Sequence, residues 1–243
     1  MVGLKNNGNH SESLMQVLTS FFLSLARHGY FGLCLASGLA MLSLPVMAGS
    51  GDVNITAKLR YVDTLHNNKP VRIERNQDRD SVLPLEFSFT SRACPPYCVQ
   101  PMQLSPGVET IGELELLEYL KKIGESDEGV MIIDSREARW LETGAIPGST
   151  HLPWTLFHSS KVDGAGIARL LEKFDVIRNK EIWDFNFAKT LVFYCNGPWC
   201  GQSPTSIRSL LTAGYPPNRI KWYRGGMQSW LQFGLTVVTP EKK

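Results

Sequence analysis

"LVFYCNGPWCGQSPTSIRSLLTAGY", residues 191–215, decides the fold. With Thr190 in front, it opens on the run "TLVFY", short, continuous and apolar, as a strand buried on both faces of a sheet requires. Asn196 to Gln202 then read as a loop with two glycines and a proline. Ser203 is a good N-cap and Pro204 a good first helical residue, so a helix over 205–213 follows and stops at Gly214. A strand feeding through a loop into a helix is half of a βαβ unit, and such units build parallel sheets covered by helices. In open parallel sheets the functional crevice lies beyond the carboxyl ends of the strands, and Cys195 stands at such an end. The N–H groups of the loop and the positive end of the helix converge on one small volume, where they stabilise an anion such as a thiolate. Gly197 and Gly201 supply the positive φ or close approach that a cradle of N–H donors needs. The pattern fits a nucleophilic cysteine; the plainer alternative is an inert buried thiol or a disulfide.

Outward from this unit the alternation continues. "GVMIID", 129–134, is a second buried strand, and Thr110 with Glu113 predicts a capping box ahead of a helix whose apolar face is Leu116, Leu117, Leu120 and Ile123. "GIARLLEKFDVI", 166–177, reads as a helix, "RIKWY", 219–223, as a strand, and "GGMQSWLQFG", 225–234, as a last short helix ending at Gly234. The expected class is α/β, a parallel sheet flanked by helices on both faces, over 107–241. Ahead of it, 49–106 is a small extension of strands and loops: "NITAKLRYV", 54–62, and "KPVRIER", 69–75, alternate like strands, while "HNNK" and "NQDRD" break them.

A chain of 243 residues with 43% hydrophobic content supports one well-cored domain with a small appendage and excludes a disordered chain. The net charge of +2 is dispersed and gives no footprint for nucleic acid. Residues 29–51 carry no charge, and "YFGLCLASGLAMLSLPVMAGS" follows Arg27 and His28 and contains Val46-Met47-Ala48 at the spacing of a signal peptidase site. A secretory signal over 1–48, with Met15 as an alternative start, is therefore expected, and with it a periplasmic protein. The other reading is an uncleaved anchor in the inner membrane, since about 20 apolar residues span a bilayer. Cys34 lacks the small residues before it that lipid attachment requires, so four cysteines remain in the mature chain, with three pairings open on paper. Cys94 and Cys98 flank Pro-Pro-Tyr, and Cys195 and Cys200 flank Asn-Gly-Pro-Trp. Local pairs restrain the unfolded chain less than long-range ones, so stability is not their evident purpose. Cys94 and Cys98 are expected to form a local disulfide or to reach Cys195 in exchange. The spacings are atypical of a four-cysteine zinc site, and no metal is expected.

Three ordered stretches then carry a resemblance. "VMIIDSREARWLETGAIPGSTHLPW" resembles the first signature of the rhodanese family, "VFYCNGPWCGQSPTSIRSLLTAGY" its active-site segment, and "IKWYRGGMQSWLQFGLTVV" its closing Gly-Gly-x-x-x-Trp signature. Together they cover about 107–241. The resemblance implies the rhodanese-like fold and sulfurtransferase chemistry at Cys195, whose thiolate takes the outer sulfur of a donor as a persulfide and passes it to a thiol acceptor. It implies no cofactor, and an active-site loop of Asn196, Gly197, Pro198, Trp199, Gly201, Gln202 and Ser203 whose backbone N–H groups, absent only at Pro198, surround the anion. Asp134 and Arg136 match the family's Asp-x-Arg and are read as a supporting ion pair; Gly225 and Gly226 are read as packing and turn residues. Trp199 is read as a wall against solvent or a hold for an apolar acceptor. Ala145 stands where the family usually has His. The loop is longer than usual, holds a second cysteine, Cys200, as a candidate resolving partner, and has no Lys or Arg before Ser203.

Three functions compete. The first is an exported sulfurtransferase or persulfide carrier, with polysulfide, a persulfide or thiosulfate as donor and a thiol as acceptor. The second is thiol–disulfide exchange through Cys195/Cys200 and Cys94/Cys98. The third is a non-catalytic interaction module. A doubly charged donor would need a cation that the loop does not supply, so polysulfide or persulfide is expected over thiosulfate. Arg208 is expected to lie along its helix, away from the loop. The sequence leaves the oligomeric state open.

Overall fold

A computed structural model describes residues 51–240, apart from Ser159 and Glu181; the expected leader over 1–48 lies outside the described residues. No helix among the described residues is long and apolar enough to cross a membrane.

The strands at the heart of the molecule are β4 (Val130–Asp134) and β8 (Thr190–Tyr194), which pair in parallel from Val130 opposite Thr190 to Asp134 opposite Tyr194. Outside them lie β9 (Ile220–Tyr223) and β3 (Glu109–Ile111) on one side and β5 (Ser149–His151) on the other. Among the described residues these make one five-stranded sheet, ordered β3-β9-β8-β4-β5, with every pair parallel. Alternation along a strand sends successive side chains to opposite faces. Leu191, Phe193 and Ile133 accordingly enter one core, with Leu170 and Leu171 of α3 (Gly164–Lys173) and Ile207 and Leu210 of α4 (Gln202–Thr212). Val192, Tyr194 and Ile132 enter the other, with Leu116, Leu117 and Leu120 of α2 (Glu113–Gly124) and Met227 and Trp230 of α5 (Gly226–Gln232). The fold is α/β, with a parallel sheet flanked by helices.

The extension joins the second core. Its hairpin, β1 (Tyr61–His66) with β2 (Lys69–Glu74), turns at Asn67 and Asn68, both at positive φ, which asparagine tolerates better than most residues. Val62 and Ile73 of the hairpin are buried with α2, and the Thr64 hydroxyl donates to the Leu120 carbonyl at 2.7 Å. A one-turn helix, α1 (Leu85–Ser88), buries Phe87 in the same core.

Four local expectations shift. Residues 54–60 are not strand: Thr56 and Leu59 close a turn, with the Thr56 hydroxyl accepting from the Leu59 N–H at 3.0 Å. Thr110 is not an N-cap, because pairing with β9 takes it into β3; α2 starts after Gly112, whose N–H is held by the Glu115 carboxylate at 3.0 Å. The helix predicted over 166–177 ends at Lys173, where Asp175 adopts φ 59°, and Ile177–Asn179 (β6) pairs instead with Ile182–Asp184 (β7). Finally, α4 begins at Gln202, with Gly201 rather than Ser203 in the cap position.

Candidate active site

β8 delivers Cys195 to the carboxyl edge of the sheet, and the chain then turns sharply, the Cys200 N–H donating to the Gly197 carbonyl at 2.9 Å. Two outside elements hold this loop. At the start of α5, the N–H groups of Met227 and Gln228 donate to the carbonyls of Cys195 and Asn196, each at 2.9 Å. This close approach requires glycine at 226: the residue sits at φ 56°, and a Cβ there would lie 2.4 Å from the Cys195 carbonyl oxygen and 2.7 Å from the Gly197 nitrogen. From the extension, the Gln100 N–H donates to the Pro198 carbonyl at 2.8 Å, and Arg224 in turn holds the Gln100 carbonyl at 2.8 Å. The indole N–H of Trp199 donates to the Gln228 side chain.

Both loop cysteines are free thiols and buried, Cys195 at 2% and Cys200 at 4% exposure. The Cys195 thiol donates to the Cys200 carbonyl at 3.5 Å; the Asn196 amide N–H donates to the Cys200 sulfur at 3.9 Å, and the Cys200 thiol to Gln202 at 3.6 Å. Burial alone would push the Cys195 thiol up. Hydrogen bonding from the Cys200 thiol, the Ser203 hydroxyl and the N–H groups of Ser203 and Gly197 outweighs it and lowers the group from 9.0 to about 7. Cys200 moves the other way, raised by burial and by the neighbouring Cys195, whose thiolate both accepts its proton in a hydrogen bond and repels a second negative charge. One thiol of the pair is thus poised to ionise and the other to stay protonated.

Asp134 and Arg136 do not touch the sulfur. They form a fully buried ion pair at 2.6 Å, into which the Tyr194 hydroxyl donates at 2.9 Å. The guanidinium also holds the carbonyls of Trp140 at 3.1 Å and Gly144 at 2.7 Å, fixing the arm that follows β4. That arm walls a cavity of about 290 Å³ with Glu137, Arg139 and Trp140; Asn196, Cys200 and Gln202 line it from the loop. Trp154, from the connection after β5, and Pro96 and Tyr97, from the extension, complete it. Cys195 does not line the cavity and sits behind Asn196 and Cys200.

A profile of the rhodanese-like domain family matches residues 116–233. The chain carries a rhodanese-like domain. Among solved structures that the domain resembles, a protein of unknown function from Rhodopseudomonas palustris, described as a possible tyrosine phosphatase, is 20% identical, over 56% of this chain and 88% of its own, with a TM-score of 0.37. A thiosulfate sulfurtransferase from Pseudomonas aeruginosa is 19% identical, over 56% of this chain and 21% of its own, with a TM-score of 0.37. A human single-domain sulfurtransferase is 17% identical, over 51% of this chain and 96% of its own, with a TM-score of 0.34. No curated protein matches the chain.

Within the rhodanese-like domain, the structure gathers the predicted loop residues around Cys195 but alters several roles. Ser203 does not cap α4. The Gly201 carbonyl accepts from both the N–H and the hydroxyl of Thr205, at 3.0 and 2.9 Å, which starts the helix earlier and leaves the Ser203 hydroxyl buried without a partner while Cys195 is protonated, free to favour the thiolate. Gly201 has an ordinary φ of −88° and needs no special freedom. Trp199 does not wall the cavity: its ring packs under the Arg92 guanidinium, 3.9 Å away, and against the edge of Tyr97, 5.5 Å away, with its N–H engaged by Gln228. Arg208 is exposed on α4, as expected. In the extension, the Cys94 and Cys98 sulfurs are joined to each other, with Cα atoms 4.7 Å apart. Sequence reasoning assigned no role to Arg92, Tyr97, Arg139, Trp140, Trp154 or Gln228, although Arg139, Trp140, Trp154 and Gln228 stand inside the quoted signatures and Tyr97 inside the Cys-Pro-Pro-Tyr-Cys loop.

Proposed function

We propose that the protein is an exported sulfurtransferase or persulfide carrier in which the Cys195 thiolate accepts sulfane sulfur and passes it to a thiol. The observation that carries this reading is the Cys195 thiol lowered to about 7 inside a ring of hydrogen-bond donors, beside a cavity of substrate size. In the forward step the thiolate attacks the outer sulfur of the donor, the donor S–S bond breaks, and its thiolate leaves with the electron pair. The Ser203 hydroxyl and the N–H groups of Ser203 and Gly197 that favour the thiolate would favour the persulfide anion for the same reason. Cys200, kept protonated, serves as a proton donor to that anion or as a resolving thiol. Arg139 is a cation near the site that the loop itself lacks, but Glu137 neutralises it at 2.9 Å. Polysulfide or persulfide donors are therefore expected to outperform thiosulfate. Export rests on the 1–48 leader, with an inner-membrane anchor as its variant.

Intact-mass analysis of the reduced protein after exposure to polysulfide, thiosulfate or 3-mercaptopyruvate tests this. One added sulfur atom on Cys195, absent in Cys195→Ser and retained in Cys200→Ser, is the expected result; sulfur carried by Cys200 alone would reverse the assignment. Thiol–disulfide exchange is a second reading, favoured by the hydrogen-bonded pair of thiols and the oxidised Cys94–Cys98 loop packed beside them. It requires a Cys195–Cys200 disulfide to form and to be reduced during turnover, which nonreducing peptide mapping reads directly. Uptake of no sulfur and no such cycling would leave the interaction module.

A further inference from the structure

We infer that the cavity beside Cys200 is a subsite for an amide-bearing thiol, a cysteine within a peptide chain, and that this thiol is the organic carrier from which sulfur is received or to which it is given. The inference rests on the sulfurtransferase reading above and specifies its substrate.

Two residues that line the cavity each carry a buried polar atom with no hydrogen-bond partner, the side-chain carbonyl of Asn196 and the indole N–H of Trp154. Asn196 is 1% exposed, and its NH₂ is turned to the Cys200 sulfur at 3.9 Å, which leaves its carbonyl for a ligand. Buried polar atoms are seldom left unpaired, because nothing repays their loss of water. Here one is an acceptor and the other a donor. An amide offers the complement of both, an N–H for Asn196 and a carbonyl for Trp154. Thiosulfate and inorganic polysulfide offer only acceptors and would leave the Asn196 carbonyl facing negative charge.

The remaining walls agree. Pro96, Tyr97 and Trp140 present apolar and aromatic surface suited to the aliphatic part of a peptide. The two charged groups that line the cavity, Glu137 and Arg139, neutralise each other at 2.9 Å, so the lining gives no advantage to a dianion. A cysteinyl persulfide seated by its amide would bring its outer sulfur to the thiol pair. The Cys195 thiolate bonds to that sulfur, the bond between the donor's two sulfurs breaks, and the peptide thiolate departs with the electron pair. The proton stays on the transferred sulfur, and no oxidant or reductant is needed.

The test compares first-turnover kcat/KM for three donors: the persulfide of N-acetylcysteine methylamide, the persulfide of 2-mercaptoethanol, which has no amide, and inorganic polysulfide. The capped cysteine is expected to exceed mercaptoethanol about tenfold, and Trp154→Phe, which keeps an aromatic wall but removes the N–H, should cut that ratio about fivefold to tenfold. Equal rates for the two organic donors in the wild-type protein would overturn the subsite whatever the variant does, as would a Trp154→Phe protein that keeps the full ratio. A nine-residue peptide with a central cysteine persulfide should react at least as well as the capped residue; its refusal would overturn a polypeptide carrier in favour of a small amide thiol. Binding of unmodified N-acetylcysteine methylamide to Cys195→Ser, followed by tryptophan fluorescence, separates the two layers. Binding without sulfur uptake in the wild type would sink the sulfurtransferase reading and leave the subsite, whereas sulfur uptake without amide discrimination would do the opposite.

Discussion

Replacing Ser203 with alanine should raise the Cys195 pKa and slow sulfur uptake in a pH-dependent way. Ser203 is fully buried, and its hydroxyl is one of the groups that bring Cys195 from 9.0 to about 7. A hydrogen bond to a charged group contributes roughly 1.5–3 kcal/mol. One pKa unit corresponds to about 1.4 kcal/mol, so the loss should move Cys195 up by about one to two units. At about pH 7 the wild-type thiol is about half ionised, and the variant would be roughly 1–10% ionised, which lowers first-turnover rate about fivefold to fiftyfold. Because the folded-state pKa is depressed, the thiolate and the activity it confers are present above that pKa and lost as pH falls through it. The variant should therefore recover as pH approaches the ordinary thiol value of 9.0. The thiolate's ultraviolet absorbance, taken as the difference between each protein and its Cys195→Ser counterpart, reads the titration without requiring a reagent to reach the buried sulfur. A wild-type midpoint near 9.0, or the same midpoint in Ser203→Ala as in the wild type, would refute the reasoning.

Gly226→Ala should abolish sulfur uptake while circular dichroism still reports a folded sheet, since its Cβ would strike the carbonyl of Cys195 at 2.4 Å; an active variant would show that the loop can move away. Asp134→Ala leaves the Arg136 guanidinium buried without its partner and should cost about 3–5 kcal/mol in urea unfolding. A loss below about 1 kcal/mol would mean that the carbonyls of Trp140 and Gly144 suffice to hold it. Phe193→Ala, in the middle of β8, should cost about 3–5 kcal/mol in the same assay, and a much smaller loss would show that the core collapses into the gap. Separately, Cys98→Ser opens the Cys94–Cys98 loop that carries Tyr97 and should change tryptophan emission from Trp199. An unchanged spectrum would mean that the aromatic contact does not depend on the bond.

The sheet could be read from the sequence because strands buried on both faces leave unbroken apolar runs, as "TLVFY" and "VMIID" do, and because glycine stops α4 and α5 at 214 and 234. The ion pair of Asp134 and Arg136, at and just after the end of β4, was legible only through the resemblance to the family's Asp-x-Arg. Ser203 shows where local preference gives out. Its hydroxyl is as good a cap as a sequence offers, yet Thr205 closes the turn on Gly201 and leaves the Ser203 hydroxyl uncommitted, where it favours the Cys195 thiolate. Trp140 and Trp154 were hidden more thoroughly. They arrive from the connections after β4 and β5, and although both stand in the quoted signature nothing there gives either a role; only the closed fold sets them around the same cavity as Asn196.

The contacts of Arg92, Tyr97 and Gln100 with the catalytic loop carry a consequence for how such proteins are compared. The family profile begins at residue 116, so these side chains, with Pro96, lie wholly upstream of the region by which kinship is recognised. A protein trimmed to the matched span would retain Cys195 and the strands β9, β8, β4 and β5 but lose the edge strand β3 and one side of the cavity. The walls of this cavity are partly drawn from a stretch that the family profile does not cover. What closes the cavity on that side has to be read from the residues that each chain folds over its own loop.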